Sequence, residues 1–143
     1  VLGLMPGRLI NLHTSYLPYN RGSSPNFFSF LEDTPKGVTI HLMSAGLDEG
    51  DILCQRELHF DEEKETFAST YEALLQEIEK LFRENWQQIR EGNIIPVKQA
   101  GPVTYHRMKD LDAIREKVDF DWNMKIGDFK RAYEKAMRKD ENS

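Results

Sequence analysis

The chain has 143 residues, a single cysteine and a formal net charge of −5 at pH 7. That length is near the usual size of one compact domain, a lone cysteine excludes a disulfide scaffold, and the acidic balance removes the usual electrostatic footprint of a nucleic-acid binder. No apolar stretch approaches the roughly 20 residues that span a bilayer, and residues 1–6 have no basic region ahead of an apolar one, so the chain reads as soluble and cytoplasmic, without a membrane partner.

Residues 7–13 read as a short buried strand with the polar Asn11 and His13 at its end. Side chains two apart on a strand share a face, so these two groups can converge on one point. Residues 16–22 form a loop punctuated by Pro18 and Gly22. Ser24 suits an N-cap and Pro25 the first turn of a short helix that follows. After a break at residues 34–37, residues 38–43 and 52–60 read as two strands of a hairpin-like pair, joined by a loop with Gly46 and Gly50 that is long enough to be functional. His41, flanked by Ile40 and Leu42, has two readings, one facing the site and one in packing, of which packing is favoured.

From 66 to 90 the apolar positions Phe67, Tyr71, Leu74, Leu75, Ile78, Leu81, Phe82, Trp86 and Ile89 follow helical spacing, and Gly92 supplies a stop. Beyond Pro96 the pattern weakens into a loop-like tract and then a charged segment. Phe129, Ala132, Tyr133, Ala136 and Met137 make one stripe of a last helix, with residues 138–143 frayed. Cys54 lies in an apolar run with no adjoining basic cluster, which predicts a reduced, partly buried thiol rather than a reactive one. His59 and His106 have no companions at zinc-ligand spacing, so no metal is assigned.

Three features of the first third belong together: Asn11-Leu-His-Thr-Ser15, then Leu17-Pro18 with Arg21-Gly22, then Gly37-Val-Thr39 and Leu47-Asp-Glu-Gly50. Their order and spacing resemble the folate-dependent formyltransferase family, most specifically over residues 9–55 and more loosely to residue 92. The resemblance implies an α/β fold: the second half of a Rossmann-like catalytic domain over residues 1–98, followed by a C-terminal extension, residues 99–143. It implies formyl transfer from 10-formyltetrahydrofolate to a primary amine, through a tetrahedral species whose oxygen becomes negative. In that chemistry Asn11 and His13 would polarise the formyl oxygen. Asp48 would raise the pKa of His13, hold it protonated and help to remove the amine proton.

By the same resemblance, the loop of Met43, Ser44, Ala45, Gly46, Leu47 and Asp48 would contact the pteridine ring of the co-substrate. Ser15 would fix His13 or the substrate, and Arg21 with Gly22 would meet the substrate, Arg21 through a phosphate. The resemblance implies as acceptor a small-molecule amine, either a small phosphorylated one or a nucleotide-linked sugar. A nucleotide-linked amino sugar is favoured, because residues 104–111 resemble the segment after the catalytic domain in sugar-amine formyltransferases, while residues 107–143 carry ten Lys/Arg against nine Asp/Glu and are too short for the basic domain of the tRNA enzymes. Methionyl-tRNA as acceptor, hydrolysis of 10-formyltetrahydrofolate, and an inactive binding module are the alternatives. The resemblance also places Val1 in the middle of the usual domain, which would leave one edge and one face of a parallel sheet bare. Cover is therefore expected from another copy or from a complementing N-terminal half.

Overall fold

The computed structural model describes residues 9–142; Gly7 and Arg8 of the first expected strand lie outside them. The elements run β1 (Ile10–His13), β2 (Arg21–Gly22), α1 (Pro25–Leu31), β3 (Lys36–Leu42), β4 (Ile52–Leu58), α2 (Phe67–Glu91), β5 (Tyr105–His106), α3 (Met108–Lys117) and α4 (Ile126–Glu141). The main sheet has the order β1-β3-β4, and β2 pairs with β5 in a second, two-stranded ribbon.

Both pairings of the main sheet are antiparallel: that of β3 with β4 is the expected hairpin, and that of β1 with β3 corrects the parallel arrangement expected of the first strand. The β3–β4 loop is too short for the crossover that parallel neighbours require. In the β1–β3 register Asn11 lies opposite His41, Leu12 opposite Ile40 and His13 opposite Thr39. Alternation therefore puts Asn11, His13, Thr39 and His41 on one face. The other face carries Val38 and Ile40, which pack with Leu74, Ile78 and Leu81 of α2. Between Ile40 and His41 the β3–β4 register slips, with Ile40 opposite Cys54 but His41 opposite Ile52. Such a bulge re-aims side chains locally, and it falls at the residue that reaches the polar cluster described below.

The first strand is not buried as expected. Among the described residues no strand pairs with its outer edge, α2 packs mainly on β3 and β4, and Leu12 is 39% exposed. A groove of about 890 Å³ continues this bare apolar surface, with Leu9, Ile10, Leu42 and Leu53 on one side and Trp86 and Ile89 on the other.

The periodicity that predicts α2 is realised, and both of its ends have local causes. The Ser69 N–H donates to Thr66 Oγ1 at 3.0 Å while the Thr66 N–H donates to Ser69 Oγ at 2.9 Å, a reciprocal cap. At the far end Gly92 has φ 72, a left-handed conformation that glycine adopts without a Cβ clash. Ser24 does precede α1, but it has φ 52 and its side chain makes no cap hydrogen bond; Pro25 alone fits its expected place.

The charged segment after β5 forms α3, which apolar periodicity does not reveal because Leu111 is its one buried residue. The α4 stripe is present, and the helix continues to Glu141, so residues 138–141 are ordered in helix rather than frayed. A phenylalanine-rich core joins these helices to the body of the chain. Phe27 of α1 lies 5.0 Å from Phe28, 5.4 Å from Phe67, 5.3 Å from Phe120 and 5.4 Å from Phe129, ring centre to ring centre. The contacts with Phe28, Phe120 and Phe129 are edge-on, a packing favoured by the aromatic quadrupole.

Candidate active site

The polar face of the sheet and the β3–β4 loop meet at Asp48. This residue has φ 56, a left-handed conformation that aspartate tolerates better than most side chains, and it is only 7% exposed. Its Oδ2 accepts a hydrogen bond from the Gly22 N–H at 2.9 Å. Its Oδ1 lies 3.6 Å from His13 Nδ1 and 3.8 Å from His41 Nε2. Asn11 Nδ2 in turn lies 3.4 Å from His41 Nε2. Asn11 and His13 of β1 and Asp48 of the β3–β4 loop thus form one cluster with His41 among them.

His41 is 2% exposed and stands at the centre of this cluster rather than serving packing alone. Its Nδ1 lies 2.9 Å from the Leu42 carbonyl, which can only accept, so Nδ1 carries the proton and Nε2 is the acceptor for the Asn11 amide. By the same reasoning His13 Nε2, 2.9 Å from the Asn20 carbonyl, carries a proton, and its Nδ1 lone pair faces Asp48.

Burial pushes the pKa of His13 below its ordinary 6.5; the Asn20 carbonyl and Asp48 act in the opposite direction but do not overcome it, and His41 adds to the lowering. The expectation that Asp48 holds His13 protonated is therefore corrected. Desolvation of a charged imidazole outweighs the attraction of a carboxylate that is not in hydrogen-bond contact. His13 is neutral near pH 7.

A stability effect follows. Below pH 6.5 the unfolded chain takes up a proton that folded His13 resists, so stability falls from 6.5 down toward the lower folded pKa and is insensitive to this group above 6.5. Urea denaturation at pH 7.5 and 5.5 is expected to show a larger loss for wild type than for His13→Gln. Equal losses in the two proteins would remove the cause assigned here.

Met43, Ser44, Ala45, Gly46 and Leu47 line, with Asn11, His41 and Asp48, a cavity of about 210 Å³. This is below the roughly 300–1,000 Å³ of a complete small-molecule site. The larger groove beside Trp86 lies on the apolar α2 face, away from these polar groups.

Ser15 is placed differently from expectation: its Oγ donates to the Tyr19 carbonyl at 2.8 Å, which braces its own loop rather than His13. Arg21 donates through Nε and Nη2 to Gln99 Oε1 at 3.2 and 2.8 Å, with Glu49 3.8 Å from its Nη1. Gly22 meets Asp48 through its backbone. A Cβ at Gly22 would stand 2.3 Å from the His106 carbonyl, so glycine is required where β2 lies against β5.

Two residues of this site were not singled out for it by sequence reasoning. His41 had a signal in its alternation with Thr39, but only the β1 register makes that meaningful. Gln99 had none. Elsewhere, His106 stacks on Phe28 at 3.7 Å and approaches Glu32 at 2.8 Å. The Cys54 thiol is pushed up to about 11 by burial, against a smaller lowering by Arg56, so it stays protonated as expected. Among the described residues no group of three or more His, Cys, Asp or Glu is arranged to hold a metal ion.

The chain is similar to known proteins over most of its length. The chain is 45% identical to the formyltransferase PseJ from Anoxybacillus kamchatkensis, solved in complex with UDP-4,6-dideoxy-4-formamido-L-AltNAc and tetrahydrofolate. The match covers 88% of this chain and 66% of that one, with a TM-score of 0.83. It is 33% identical over 108 residues to dTDP-4-amino-4,6-dideoxyglucose formyltransferase of Mycobacterium bovis, covering 76% of this chain and 46% of the relative. It is 41% identical over 102 residues to methionyl-tRNA formyltransferase of Anaeromyxobacter dehalogenans, covering 69% and 32%. The chain thus spans about half the length or less of these two curated relatives. Residues 1–85, more than half of the sequence and inclusive of Asn11, His13 and Asp48, match the formyl transferase family, and the chain belongs to that family.

Proposed function

We propose that this chain carries the catalytic residues for transfer of a formyl group from 10-formyltetrahydrofolate to the amine of a nucleotide-linked sugar. The observation that carries the reading is the meeting of Asp48 Oδ1 with His13 Nδ1 at 3.6 Å, on the face that also bears Asn11. The sugar acceptor is supported by the higher identity to the Anoxybacillus enzyme, 45% over 88% of the chain.

The loop from Met43 to Leu47 offers apolar side chains and backbone amides to one edge of a flat heterocycle, which fits part of a pteridine; the shallow cavity leaves the rest to other walls. When bound, the co-substrate supplies the formyl group. Asn11 spends one amide N–H on His41 and has the other free to stabilise negative charge on the formyl oxygen, a kind of donor worth about 2.7–4 kcal/mol in a dry site. His13 Nδ1 and Asp48 Oδ1 are two bare acceptors side by side. Together they take the proton that the attacking amine releases, which relieves their mutual repulsion, and return it to the leaving folate nitrogen as its bond to the formyl carbon breaks. His13 acts here as a neutral base, not as the charged donor that sequence suggested.

The bare edge of β1, the exposed Leu12 and the adjoining apolar groove support a further part of the reading: the three strands form one side of a Rossmann-like domain, completed by additional α/β structure laid along β1. No described helix is long and apolar enough to cross a membrane.

The test is formyl transfer from 10-formyltetrahydrofolate, with the chain alone and fused to the part of the Anoxybacillus enzyme that it leaves uncovered. UDP- and dTDP-linked amino sugars, methionyl-tRNA and no acceptor are compared. Amine-dependent transfer to a sugar nucleotide is expected in the fusion. Formate release at the same rate with and without amine would identify a hydrolase and overturn the transferase reading.

A further inference from the structure

Gln99 lies beyond the residues that match the family and has no part in the chemistry as described, yet its side-chain amide touches both sides of the Asp48 carboxylate's support. Its Nε2 donates to the carbonyls of Asp48 at 2.7 Å and Gly50 at 2.9 Å. Those two carbonyls flank Glu49, so the two hydrogen bonds clamp the turn in which Asp48 holds its left-handed φ of 56. The Gln99 Oε1 accepts from Arg21, and the next residue, Gly22, donates its N–H to Asp48 Oδ2.

The backbone that presents Gln99 is itself fixed. Ile52 and Val97 exchange both hydrogen bonds, at 2.7 and 2.9 Å, adding the strap after α2 to the start of β4. Farther along the same strap, the Thr104 carbonyl and hydroxyl accept from the N–H groups of Arg21 and Asn20.

We propose that Gln99 is the positioning residue for Asp48, holding its carboxylate against His13 and His41 by clamping the β3–β4 loop on one side and Arg21-Gly22 on the other. The assignment of a purpose to this hold rests on the catalytic reading of Asp48. Only a primary amide of this length fits the arrangement. Glutamate can accept from Arg21 but cannot donate to two carbonyls, lysine can donate but not accept, and asparagine is a methylene shorter.

Gln99→Glu separates these tasks, because it retains the acceptor for Arg21 and removes both donors. Amide hydrogen exchange followed by NMR on the chain needs no activity. The Gly22 amide is expected to exchange roughly tenfold faster or more in Gln99→Glu, with the β3 amides unchanged, since it is tied to the loop only through the Asp48 carboxylate. Gln99→Met, uncharged and of similar length, is expected to give the same result and guards against disruption by the new charge. Unchanged Gly22 protection in both variants would overturn the proposal.

In the fused enzyme, kcat is expected to fall about ten- to a hundredfold with KM for the amine nearly unchanged, as for a displaced catalytic group. Faster Gly22 exchange with an unaltered kcat would uphold the hold of Gln99 on Asp48 and instead overturn the catalytic role of Asp48.

Discussion

Asp48→Asn is expected to lower kcat for formyl transfer in the fused enzyme by about a hundredfold or more, the range of a lost acid–base group, with little change in thermal stability. Asparagine has nearly the same size, tolerates the left-handed φ of 56 that this turn imposes, and can still accept the Gly22 N–H through its amide oxygen. The loop and its contact with β2 are therefore retained. What is lost is the negative charge beside His13 Nδ1 and His41 Nε2, and with it the capacity to share the proton that leaves the amine. Steady-state kinetics beside a melting curve make the test. A kcat within threefold of wild type, in a protein that melts normally, would show that the carboxylate has no part in the reaction.

The largest expected loss of stability comes from Phe129→Ala, about 3–5 kcal/mol, the range for removing a fully buried aromatic ring. Phe129 has no exposed surface. Its ring lies 5.4 Å from Phe27, 5.6 Å from Phe67 and 5.6 Å from Phe120, so a cavity there opens between α4, α1 and the first turn of α2. Urea denaturation read by tryptophan fluorescence reports both sides of this contact, because Trp86 stands on α2 and Trp122 beside Phe120 at 4.8 Å. A loss under 1 kcal/mol would mean that the α4 contact contributes little. The same curves bear on the division of the chain at residues 98 and 99. A single shared transition is expected from the shared phenylalanine core, whereas two separate transitions would mark residues 99–143 as an independent unit.

The site was legible in part because its chemistry sits on short, regular pieces of chain. Asn11 and His13 are two apart on a strand, and Asp48 lies in a glycine-bounded loop; both patterns survive in the sequence whatever surrounds them. His41 was misjudged for a definite reason. Its apolar neighbours in sequence point to the opposite face, and only its pairing with Asn11 across β1 and β3 puts its ring beside Asp48. Gln99 was invisible because its partners are 49 and 51 positions away toward Gly50 and Asp48, and a polar residue in a loop carries no periodic signal.

The charge state of His13 shows the same limit in electrostatics. Sequence can place a carboxylate near an imidazole, but whether the pair is charged depends on how much water the fold removes, and here burial prevails.

Local composition was enough to determine α2 with its Thr66 and Gly92 ends, the hairpin of β3 and β4, the stripe of α4, and the family motifs that carry Asn11, His13 and Asp48. These depend on interactions within a few residues, which sequence spacing encodes directly. Tertiary structure alone decided the antiparallel placing of β1 beside β3, the bare edge of β1, the neutrality of His13, the entry of His41 into the cluster and the clamp that Gln99 places on Asp48. Each of these arises from contacts between segments far apart in the chain, where register and burial, not local spacing, determine what meets what.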